Sequence, residues 1–164
     1  MMRAVTLVVL GLVGGLASAA PLRHDAMTQV MNRVDKAVRV VLKVEGTPTA
    51  RTGQARAATR AEMVAEFDRI MTLARPRFRG RPMRQAVDQP LIDSRNPAPE
   101  TRAQLKRLIE WGFVGPVSPL ATDPSQTLTP QQFGDALGYF MTRLADVTHT
   151  YDPRFSPANL SNDD

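Results

Sequence analysis

The chain has 164 residues, of which 43% are hydrophobic and 5% aromatic, with 21 Lys and Arg against 16 Asp and Glu for a formal charge of +5. That length admits one domain or two very small ones, and the apolar content is ordinary for a chain that buries a core. The absence of cysteine excludes a disulfide framework, a thiolate metal site and a cysteine-linked lipid anchor.

Residues 1–19 read as an export signal. Arg3 supplies a positive n-region, Val5 to Leu16 is apolar apart from Thr6 and glycines, and Ala17-Ser18-Ala19 has the small-x-small pattern that signal peptidase cuts. Cleavage is expected before Ala20, since cutting one residue later would leave Pro21 after the scissile bond. The alternative is a retained anchor, which needs roughly 20 apolar residues to span a bilayer. Export to the periplasm or the cell surface follows from the signal.

Residues 20–46 form the first helical segment. Met27, Met31, Val34, Val38 and Val41 step by four and three, which lines one face of a helix from about Asp25 to about Gly46. That stripe suits a core face or a seam for a partner helix or a second copy. Residues 47–58 are polar, contain Pro48 and Gly53, and read as a loop or linker.

A helical domain is expected over 59–148. Thr59 with Glu62 makes a capping box, and the helix runs to about Ala74 with Met63, Phe67, Ile70 and Met71 inward and Arg60, Glu66 and Arg69 outward. Pro76 ends it. Residues 75–99 carry five prolines and no sustained period, so they read as an irregular excursion. Arg75, Arg77, Arg79, Arg81 and Arg84 make this stretch a basic patch suited to an acidic polymer or phosphate, or a merely solvated loop. A third helix starts at Pro99-Glu100, turns Leu105, Leu108 and Ile109 inward and stops at Gly112. The fourth has Thr129 as N-cap, Pro130 in the first helical position, Gln132 completing a second box, and Phe133, Leu137, Phe140, Met141, Leu144 and Val147 along its inner face. Residues 149–164 read as a tail. The fold class is therefore a small all-α domain of about four helices.

Thr129 lies 70 residues beyond Thr59, and at that offset Met63, Phe67, Ile70 and Met71 meet Phe133, Leu137, Phe140 and Met141. Each capped helix also follows a helix, a glycine and a loop. Either the unit is repeated, or two amphipathic helices share a common pattern.

The run Thr59-Arg60-Ala61-Glu62 resembles the signature that opens the second helix of an S-layer homology unit. Leu105 to Gly115 looks like the first helix of such a unit with its glycine turn, and Leu128 to Phe133 is similar to the second-helix opening. The second box has Pro130 and Gln132 in place of the Arg and Glu of the signature. The resemblance implies helix-loop-helix units that bind an anionic cell-wall polysaccharide linked to peptidoglycan. It nominates Arg60 to hold the acidic sugar, Glu62 as helix cap and orienter, and Gly112 for close backbone approach. A guanidinium suits this ligand because its planar fork pairs a carboxylate with two hydrogen bonds.

Trp111 offers either a sugar platform or helix-end packing. His24 and His149 lack clustered carboxylates at ligand spacing, so no metal site is expected. There is no nucleophile elbow and no phosphate-cradling glycine loop, so neither catalysis nor a cofactor is expected. Export argues against nucleic acid. The expected function is a non-catalytic cell-envelope module that anchors to anionic cell-wall glycan. The alternative is a helical assembly protein of the periplasm acting through protein contacts, with Met27 to Val41 as its seam.

Overall fold

The computed structural model describes residues 20–82 and 97–150. The expected signal, Arg84 and the greater part of the tail lie outside them. Helix α1 spans His24–Leu42, α2 Arg60–Ala74, α3 Pro99–Glu110, α4 Pro119–Thr122 and α5 Pro130–Thr148, with a 3-10 turn at Arg75–Arg77. The only β pairing among the described residues is two isolated bridges, Arg23 with Ala57 and Thr59 with Thr127. The protein is all-α. The short α4, unforeseen, is a single turn inside the loop that leads to α5.

Both capping boxes form. Glu62 N–H donates to Thr59 Oγ1 at 3.3 Å while Thr59 N–H donates to Glu62 Oε2 at 2.9 Å. At α5 the matching pair, Gln132 with Thr129, closes at 3.2 Å in both directions. Helix α3 stops as expected: Gly112 takes the left-handed conformation, φ 73°, Phe113 N–H donates to Leu108 C=O at 2.8 Å and Gly112 N–H to Ile109 C=O at 2.9 Å. Helix α1 stops four residues short of Gly46. Lys43 is left-handed at φ 52°, Val44 N–H donates to Arg39 C=O, and the Arg39 guanidinium then holds the carbonyl of Glu45 at 3.0 Å, folding the chain back over the helix end.

Helix α2 is the element against which the others pack. Its Met63, Val64, Phe67, Ile70 and Ala74 are fully buried. Phe67 stacks on Phe140 of α5 with ring centroids 4.3 Å apart, and Phe113 joins them at 4.8 Å from Phe140. The α1 stripe faces inward at Met27, Met31, Val34 and Val38, so it is consumed by the protein's own core and is not open to a partner helix or a second copy. Val41 departs from the expectation. A step of four from Val38 continues the inner face better than a step of three at this point, so Leu42 is buried and Val41 is 46% exposed.

Glu66 also departs from its expected outward position. It is buried because the 47–58 loop lies over it and delivers Arg51, which pairs with its carboxylate together with Arg69. The loop is tied down along its length: Asn32 exchanges two hydrogen bonds with the backbone of Arg51, and Gln54 N–H donates to His24 Nδ1 at 2.9 Å.

Three helices start from one closed ring of backbone bonds. Leu22 N–H donates to Leu128 C=O at 2.6 Å, Leu128 N–H to Ala58 C=O at 2.9 Å, and Ala58 N–H to Leu22 C=O at 2.8 Å. Each of these residues immediately precedes an N-cap, Arg23, Thr59 or Thr129. The next donors repeat the pattern, His24 N–H to Arg56 C=O and Arg60 N–H to Gln126 C=O, so free N-terminal amides of α1 and α2 are satisfied by the loop that leads into the next helix of the ring. Position 130 is the third of that set and is a proline without an N–H. Helix α1, matched to α3 when the sequence is divided into two units, instead begins at the ring as α2 and α5 do.

Candidate ligand pocket

The first turn of α2, the 113–118 loop, α4 and the outer side of α5 enclose a cavity of about 450 Å³. The Gly112 turn sends the chain from α3 towards it, so that Phe113, Val114 and Gly115 form one wall. Leu120 of α4 and Leu128 of the ring contribute further apolar surface, and Ala136 and Tyr139 of α5 complete it. Tyr139 is half exposed.

Polar groups are few and their partners are incomplete. Arg60 reaches into the cavity with its side chain 14% exposed. Its Nη1 donates to the Asp123 carbonyl at 3.3 Å and lies 3.8 Å from the Asp123 carboxylate. Its Nε is buried and has no hydrogen-bond partner, and the same is true of Ser118 Oγ, which lines the cavity too. Ser118 occupies the N-cap position of α4, yet its hydroxyl does not cap the helix. A buried polar atom left unpaired costs about 1–3 kcal/mol, a cost that both residues carry at the wall of this cavity. Gln132 lends Oε1 to the capping box, which leaves its amide NH₂ as a donor, and Asp135 adds an acceptor nearby.

Such a set of groups is suited to binding. Arg60 supplies the positive charge, the walls offer apolar surface, and the flanking polar groups match hydroxyls.

The residues nominated from the sequence separate in space. Arg60 lines the cavity. Glu62 faces away, towards the start of α1: its carboxylate takes both Arg56 nitrogens and lies 3.9 Å from His24 Nε2. Burial works to raise the Glu62 carboxyl, but the hydrogen bonds from Arg56 and from Thr59 N–H outweigh it and hold the group below its ordinary value. Glu62 therefore orients Arg56, whereas Arg60 is held by Asp123. Gly112 shapes the wall without lining it, and Trp111 packs edge-on against Phe78 at 4.9 Å, with its carbonyl taking Arg143 Nε at 2.9 Å. Arg75, Arg77, Arg79 and Arg81 are exposed beyond the far end of α2. Ser118, Gln132, Asp135 and Tyr139 escaped the sequence reading. The Ser118-Pro119 pair is a helix-start signal that would have revealed α4 and hence the enclosure.

A comparison with known proteins found no matching family model, curated protein or solved structure.

Proposed function

We propose that this chain is a non-catalytic, exported cell-envelope module of the S-layer homology kind that retains an anionic cell-wall glycan in the Arg60 cavity. The observation that carries the reading is the meeting of a cationic side chain, Arg60, and a hydroxyl residue, Ser118, at one apolar-walled cavity. A carboxylated sugar supplies an acceptor to the guanidinium, hydroxyls to Ser118 and Gln132, and C–H faces to Val114, Leu120 and Tyr139. The ring at the helix starts supports the same reading, because it fixes Arg60 on a rigid element rather than on a loop.

The test is co-sedimentation of the exported chain with purified sacculi that carry their anionic polymer, beside sacculi stripped of it by acid. Retention is expected only on the intact sacculi. Arg60→Ala should weaken it at least about ten-fold, as loss of a charge-assisted hydrogen bond implies, and Ser118→Ala by about five-fold. Equal retention of Arg60→Ala and wild type sinks the reading, and release of wall fragments by the protein would refute its non-catalytic part.

A further inference from the structure

The positive charge that the cavity does not use is gathered at the opposite end. Arg77 Nη2 donates to the Lys43 carbonyl at 2.9 Å, tying the end of α2 to the end of α1. Arg79 N–H and Gly80 N–H both donate to the Val147 carbonyl, tying it to the end of α5. The outer face of α1 leads into this end. Arg33, Lys36, Val40 and Lys43 recur at three- and four-residue steps, opposite the buried Met27-Met31-Val34-Val38 stripe, and all four are exposed. Arg33, Lys36, Lys43 and Arg75 form no ion pair among the described residues. Glu45 is an exposed acid beside them.

Charge alone would suit any polyanion, but this face also exposes apolar surface. Val40 is 70% exposed and stands on this face, four residues after Lys36 and three before Lys43. A protein partner would meet a face dense in cations and without aromatic anchors, which is a poor interface core. A lipid surface bearing phosphate meets both needs, since cations take the headgroups while short apolar side chains enter the boundary below them.

We propose that the outer face of α1, continued by Lys43, Arg75 and Arg77, is a docking surface for a membrane rich in anionic phospholipid. It does not depend on the glycan reading. The Arg60 cavity lies at the other end of α2 from Arg75, about 22 Å along a helix of this length.

The experiment is sedimentation of the exported chain with vesicles of phosphatidylcholine alone and of phosphatidylcholine mixed equally with phosphatidylglycerol. Binding is expected to the mixed vesicles only and should be lost at high salt. Lys36→Glu with Arg75→Glu, two exposed positions with no ion pair among the described residues, should weaken it at least about ten-fold. Val40→Asp should weaken it several-fold while the thermal midpoint stays unchanged, and Arg60→Ala should bind vesicles as wild type does. Equal binding to both vesicle types, no binding to either, or an unaffected double variant overturns the proposal. So does competition by dextran sulfate combined with indifference to Val40→Asp, which would mark the face as a site for a soluble polyanion.

Discussion

Asp35 and Glu66 are the residues whose chemistry most constrains this fold. Both are buried, at 3% and 7% exposure, and each is held by two arginines from different parts of the chain. Arg39 Nε meets Asp35 at 2.6 Å, Arg69 bridges Asp35 and Glu66, and Arg51 comes in from the 47–58 loop. Replacing Asp35 by Ala leaves two arginines facing a buried site and should cost about 3 kcal/mol in urea unfolding. The carboxylate also sets an acid limit. Burial works to raise the Asp35 carboxyl, but hydrogen bonds from Arg69 and Arg39 prevail and keep it below its ordinary value. Glu62 is lowered in the same sense. Groups depressed in the folded state bind fewer protons than the unfolded chain does, so their stabilisation is complete above the ordinary carboxylate pKa of about 4 and fades as pH falls through the lower folded values. Unfolding free energy should therefore be flat near neutrality and decline below roughly pH 4, with a shallower decline in Asp35→Asn. None of this network was readable from periodicity. Glu66 sits at a phase that suits solvent, and only the return of the loop covers it.

At the scale of elements, signals confined to a few neighbouring residues were legible and those that depend on return of the chain were not. The boxes at Thr59 and Thr129 and the glycine stop at Gly112 are each written within about five residues, and each forms as expected. The end of α1 was misplaced because a lysine, not a glycine, adopts the left-handed turn, and α5 ends the same way at His149, φ 53°. A residue with a Cβ is strained there by about 1–2 kcal/mol. His149→Gly is accordingly expected to stabilise the protein by about 1 kcal/mol and raise the thermal midpoint by a few degrees, as scanning calorimetry would register. Gly53 shows the converse. A Cβ there would fall 2.3 Å from Asp25 Cα and 2.8 Å from Asp25 N, both backbone atoms that cannot yield. Gly53→Ala should displace the loop from the start of α1 and lower the midpoint, with amide exchange rising first at Asp25 and Gln54. Arg60 could be nominated from its motif alone. Ser118 has no such motif: only the Ser118-Pro119 helix start points to α4, which turns the 113–128 segment back onto α2.

For the whole molecule, the all-α class followed from the helical period of the apolar residues, but its organisation did not. Division into two units treats α1 as the forerunner of α2, whereas the backbone ring gives α1, α2 and α5 equivalent beginnings. The likeness is hidden because Arg23 has no hydroxyl acceptor for a box and Pro130 has no amide for the second tier. Among the described residues no helix is long and apolar enough to cross a membrane. The ring also predicts that an early residue matters globally. Deleting residues through Leu22 removes one donor and one acceptor from it and should loosen the ends of both α2 and α5, visible as faster amide exchange at Ala58 and Leu128.

The ring has a temporal side as well. Its members stand at 22, 58 and 128, so the first waits for the arrival of a segment 106 positions later before it can be satisfied. A chain delivered from its N-terminus, by ribosome or by translocation pore, holds α1 and α2 without this clasp until nearly all of the described sequence has emerged. Closure over so long a separation is slow by its entropy. Until then, Leu22 N–H and Ala58 C=O lack their partners at Leu128, although Ala58 N–H can already reach Leu22 C=O, so a chaperone acting on the nascent protein would be needed longest at those two groups.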